Sequence, residues 1–127
     1  MDLKQVAKET TKVLASYLTY QAVRIVIEQL IETNPPLAIW FSDFSSTAKI
    51  QDGETYLQEL LQANQDLAWR IMTVRESLAQ EVSDYLPEMV KISIQQENMA
   101  HRRQHLEKIT QLSLSDENLP PEEKIDR

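Results

Sequence analysis

A mostly apolar and aromatic row, interrupted at Thr10 and Arg24, steps by three and four from the start of the chain: Leu3, Val6, Thr10, Val13, Tyr17, Tyr20, Arg24, Ile27 and Ile31. This spacing predicts one long amphipathic helix with a heptad-like seam. From Ala22 to Ile31 only Arg24, Glu28 and Gln29 are polar, so this half is expected to be covered on more than one side. Asn34-Pro35 then reads as a stop and restart, because asparagine caps a new helix and proline fits its first turn. A short second helix is expected from Pro35 to about Phe44, followed by a loop, Ser45 to Asp52, whose one large apolar residue is Ile50. Asp52-Gly53-Glu54-Thr55 opens a third helix to about Ala63, with acids placed at the positive end of the dipole. Asn64 is the candidate break before the next segment.

That segment carries Leu67, Ile71, Val74, Leu78, Val82, Tyr85, Met89 and Ile92 at helical spacing and runs to about Lys108. Pro87 is expected to kink it rather than end it, since the periodicity resumes on both sides. The pattern therefore predicts an all-α four-helix bundle protomer with a long kinked C-terminal helix. Residues 1–112 form the expected helical domain, and 113–127 an acidic disordered tail. A helix of about 44 residues spans about 66 Å. A compact chain of this size has a diameter of only about 36 Å. The long helix would overhang a monomeric globule with its apolar stripe bare, which points to a partner, most simply a second copy in a two-fold homodimer.

Charge refines this picture. The net charge is −7, and the segment from Ser115 holds five acids and two bases, leaving about −4 on the helical body. Phosphate recognition needs clustered cations, so nucleic acid is not an expected partner. With no cysteine, thiolate chemistry and disulfides are excluded. The single glycine removes phosphate-cradling loops. No run approaches the roughly 20 apolar residues of a membrane span. Met1-Asp2-Leu3-Lys4 enters a helix without the pattern of a signal peptide.

Candidate chemistry is sparse. Glu97, His101 and His105 share a helical face and could in principle hold a divalent metal. A solvated, ion-pairing face is the favoured reading, because no further ligand accompanies them. No serine, histidine and acid trio has a motif context, so no enzyme, catalytic residue, metal or cofactor is expected. Tyr17 and Tyr20 leave two readings open: core tyrosines with satisfied hydroxyls, or one wall of a groove for an apolar peptide. Arg70 and Arg102 taken alone read as ordinary solvated charges.

The order of several short stretches adds a resemblance. S-Y-L-T-Y-Q-A-V (16–23), E-T-N-P-P-L-A-I-W (32–40), I-Q-D-G-E-T-Y (50–56), R-I-M-T-V-R-E (70–76) and A-H-R-R (100–103) occur in series. Together they make the chain resemble the RbcX family, assembly chaperones of the Rubisco large subunit, over about residues 3 to 110. The resemblance implies an arc-shaped homodimer that uses neither nucleotide nor metal. A central groove at the dimer interface would clasp the extended, phenylalanine-containing C-terminal segment of the large subunit. Tyr17 and Tyr20 match the family's groove tyrosines, and Ile50 and Gln51 its groove-lining loop. Gln29, Glu32, Thr33, Asn34, Arg70 and Arg102 match a polar surface that bridges to a neighbouring large subunit. The implied setting is the cyanobacterial cytoplasm, with association with carboxysomes open. The alternative of another class is a helical adaptor module that binds some other peptide or helix.

Overall fold

The computed structural model describes residues 1–47 and 52–117, and among these it contains five helices and no strand. They are α1 (Leu3–Thr33), α2 (Pro35–Thr47), α3 (Gly53–Ala63), α4 (Gln65–Ser83) and α5 (Leu86–Glu117). Asp2 starts α1, its carboxylate accepting from the Lys4 and Gln5 N–H groups at 3.0 and 3.4 Å. Asn34 both closes α1 and opens α2. Its N–H donates to the Leu30 carbonyl at 2.7 Å, and its side-chain oxygen accepts from the Leu37 N–H at 3.4 Å. Pro35 and Pro36 then occupy the first turn of α2, where a missing N–H leaves no donor unpaired. Asn64 repeats the device between α3 and α4, with its N–H on Leu60 at 2.7 Å and its side chain accepting from Leu67 at 3.1 Å. The suspected break at Asn64 is therefore a one-residue corner.

The chain divides into two compact units, Met1–Asp84 and Tyr85–Arg127. In the first, α1 packs against α2, α3 and α4, and α3 against α4. The core joins Leu18, Ala22, Val23, Val26 and Leu30 of α1 to Ala38 and Phe41 of α2, Tyr56, Leu57 and Leu60 of α3, and Leu67, Ala68 and Ile71 of α4. Trp40 stacks on Phe44 with ring centroids 5.4 Å apart, and Phe44 meets Tyr56 at 5.9 Å. The buried Tyr56 hydroxyl is satisfied by the Ser45 hydroxyl at 2.7 Å. Burial pushes its pKa up to about 12, although the hydrogen bond to Ser45 acts in the opposite direction.

The buried stripe of α1 is not the predicted seam. Leu3, Val6, Val13, Tyr17, Tyr20 and Ile31 are exposed in the protomer, and Ile27 is half-buried. The core instead takes the neighbouring row of slimmer residues, stepping from Leu18 through Ala22 and Val26 to Leu30. Small side chains at the crossing let three other helices approach, which bulky tyrosines would prevent.

The long C-terminal helix also differs from expectation. It is two helices, with α4 ending at Ser83 and α5 beginning at Leu86. The proline ring clashes with the carbonyl four residues earlier, and for Pro87 that residue is Ser83, the last of α4. Pro87 instead takes the first turn of the new helix, so the fourth and longest expected helix becomes a fourth and a fifth. The second helix runs to Thr47 rather than about Phe44, and α5 to Glu117 rather than about Lys108. Most of the expected acidic tail, residues 118–127, lies outside the described residues. Along α5 the large apolar residues, among them Met89, Ile92, Met99, Leu106, Ile109 and Leu112, are exposed.

Candidate functional site

Tyr17 and Tyr20 lie one helical turn apart on the outer face of α1, 58% and 44% exposed. The core reading of this pair does not hold in the protomer, because Leu18, Thr19 and Ala22 take the inward positions. The Arg24 guanidinium sits 5.9 Å from the Tyr20 ring centroid, a cation–π contact that steadies the ring on its outer side. Two aromatic faces with free hydroxyl ends beside Val13 form a surface that can take apolar side chains and hydrogen-bond a peptide backbone. Ile50 and Gln51, the expected groove-lining loop, lie outside the described residues.

The polar corner is assembled by the end of α1. Gln29, Glu32, Thr33 and Asn34 are all exposed there. The Thr33 hydroxyl turns back to the Gln29 carbonyl at 2.9 Å. Arg70, half-buried on α4, donates from Nη2 to the Gln29 side-chain oxygen. Five of the six expected bridging residues thus belong to the first unit, with Gln29 and Arg70 in direct contact. Arg102 is exposed on α5 in the second unit. Glu97, His101 and His105 also lie on α5. Among the described residues, however, no three His, Asp or Glu side chains come together as a metal would require.

A third cluster, which no single motif pointed to, lies beside the tyrosines. Gly53, the first residue of α3, donates its N–H to the Ser16 hydroxyl of α1 at 3.1 Å. Thr19, fully buried, donates to the Ala15 carbonyl at 2.8 Å and accepts from Arg75 Nη1 of α4 at 3.1 Å. The same guanidinium forks onto the Glu54 carboxylate at 2.8 and 3.3 Å. Asp52 caps α3 by accepting from the Thr55 hydroxyl at 2.9 Å and the Glu54 N–H at 3.0 Å. The Thr55 bond first, and then the backbone bond, hold its carboxyl below the usual aspartate range. Apart from Ala15, these residues fall inside the motif stretches 16–23, 50–56 and 70–76. The signal that could have singled them out is the lone glycine at the head of a helix.

The profile of the RbcX protein family matches residues 1–111. The Rubisco chaperone RbcX of an Anabaena species is 62% identical over 115 residues, covering 91% of this chain and 84% of the relative. That of Thermosynechococcus vestitus is 58% identical, covering 89% and 90%. Among solved structures, a crystal structure of RbcX in complex with substrate aligns with a TM-score of 0.80 at 52% identity, covering 87% of this chain and 99% of that one. These relatives carry the name of chaperones, not of enzymes. A match of this extent in sequence and in fold establishes that the chain belongs to the RbcX family.

Proposed function

We propose that this protein is a Rubisco assembly chaperone that acts as a homodimer. Its tyrosine-lined groove clasps the extended C-terminal peptide of the Rubisco large subunit, without ATP. The observation that carries the reading is the exposure of Tyr17 and Tyr20, side by side, on a protomer whose core is complete without them. Ile50 and Gln51 belong to the loop that lines this groove. The bare apolar residues of the first half of α1, and separately those of α5, are surfaces on which a second copy docks. Gln29, Glu32, Thr33, Asn34, Arg70 and Arg102 contact a neighbouring large subunit. Two copies of each surface around a two-fold axis then staple these client chains through effective concentration rather than through one tight contact.

Magnitudes fit a helper that must leave. Burying one phenylalanine of the client contributes about 1.5–3 kcal/mol. Ordering the peptide offsets part of the total, so micromolar affinity near about −8 kcal/mol is expected. Residues 1–112 carry this activity, in a cyanobacterial-type cytoplasm.

Titration of a synthetic peptide with the C-terminal sequence of the Rubisco large subunit tests the groove. Tyr20→Ala is expected to weaken binding at least about tenfold, the loss typical of an aromatic anchor, while the dimer persists. Unchanged affinity contradicts the groove. Glu32→Ala is expected to spare peptide binding and to abolish assembly of the Rubisco core complex on native gels; normal assembly would mean that the bridging surface lies elsewhere.

A further inference from the structure

Gly53 is the one glycine in the chain, and it stands at the head of a helix without a positive φ to justify it. Glycine disfavours a helix, so its place here has to come from space. A Cβ at this position would lie 2.9 Å from Thr19 Oγ1 and 3.2 Å from both Ser16 Cα and Thr19 Cβ. No real Cβ fits at the first distance unless Thr19 moves. Thr19 is held, however, by Ala15 on its own helix and by Arg75 from α4. The close approach is what lets the Gly53 N–H reach the Ser16 hydroxyl. Ser16 and Thr19 are each followed directly by a tyrosine of the exposed pair. On a rigid helix, the way these two seat against α3 fixes the direction in which Tyr17 and Tyr20 face.

We infer that Gly53 and Arg75 are positioning residues for the tyrosine surface. Gly53 sets how closely the start of α3 sits against α1, and Arg75 ties that contact to α4 through Thr19 and Glu54. The inference rests on the peptide-clasping function proposed above and specifies its geometry. Asp52 caps the same turn of α3, accepting from the Glu54 N–H and the Thr55 hydroxyl. Displacing that turn therefore re-seats the 16–19 stretch of α1 without touching either tyrosine. A looseness of a fraction of an ångström in such a supporting contact is enough to degrade a recognition site.

The test uses the full chain and the same synthetic peptide, with binding measured well below the melting temperature and dimer mass by light scattering. Gly53→Ala and Arg75→Met are each expected to weaken the peptide about fivefold, the scale of one lost hydrogen bond, with the dimer mass unchanged. Arg75→Lys, which keeps the charge but has no fork to serve Thr19 and Glu54 together, should fall between wild type and Arg75→Met. A cluster that merely stabilises the fold would lower the melting temperature and leave affinity alone. Tyr20→Ala, run alongside, separates the two claims. If it weakens binding while Gly53→Ala and both Arg75 variants bind as wild type, the positioning role is overturned. If Tyr20→Ala itself binds as wild type, the groove assignment fails first. Should Gly53→Ala not fold, the two Arg75 variants decide the matter.

Discussion

One helix, α1, presents two apolar rows that meet opposite fates. The row through Leu18, Ala22, Val26 and Leu30 is buried among three other helices. The row through Leu3, Val6, Val13, Tyr17 and Tyr20 is bare in the protomer. The first is narrow and aliphatic, which suits close helix crossings. The second is broader, with hydroxyl-bearing rings that tolerate water at one end. Comparing them teaches that periodicity marks a sticky face but not its occupant. Slim residues belong to the protomer's own packing, and the aromatic row is left outside it.

Substitutions on the two sides should behave differently, and the largest effect belongs to the inner one. Phe41, fully buried against the α1 row, is expected to lose about 3–5 kcal/mol of stability as Phe41→Ala, read by urea denaturation. A loss below about 1 kcal/mol, the level of an ordinary surface change, would mean that this row is not the core. Next comes Tyr56→Phe, which removes the bond to Ser45 and should destabilise by about 1 kcal/mol. Its pH behaviour is sharper. The folded-state pKa of about 12 stands above the ordinary 10.0, so the unfolded chain releases this proton first. The contribution is intact below pH 10 and declines as pH rises from 10 to about 12. Tyr56→Phe should flatten that part of the stability profile, and an unchanged slope would show the hydroxyl to be in contact with water. The smallest effect on the protomer is expected for Val13→Asp in the outer row, within about 0.5 kcal/mol. Helical circular dichroism should persist while the particle mass falls toward the 14.7 kDa of one chain. An unaltered mass would remove the outer row from the dimer contact.

Much of the fold was legible because its punctuation is chemical. Asn34-Pro35 and Asn64 mark their corners through a side chain that can cap and a backbone that can close. Pro87 was visible too, but periodicity continuing past it suggested a kink. The steric conflict with Ser83 is local and absolute, whereas apolar spacing carries no information on whether the backbone between two matching stretches is unbroken. The choice between the two α1 rows was hidden for a related reason. Both rows have helical spacing, and only the packing of α2, α3 and α4 decides between them. Of the candidate site, the tyrosines and the polar corner were named from the resemblance, and the Gln29–Arg70 contact brings together two residues far apart in the chain. The Gly53, Thr19 and Arg75 cluster was hidden because Arg75 lies 56 residues from Thr19 and 21 from Glu54 along the chain. Taken singly, only the lone glycine stands out.

The single-residue corners at Asn34 and Asn64 have an evolutionary corollary. A turn with one residue has no slack in which to absorb a change of length. Adding or deleting a residue there would swing the following helix by about 100° and present the wrong side of it to the rest of the bundle. Sequence drift in this protein is thus free to change letters at these corners only if asparagine's two duties are kept, and it is barred from changing their number.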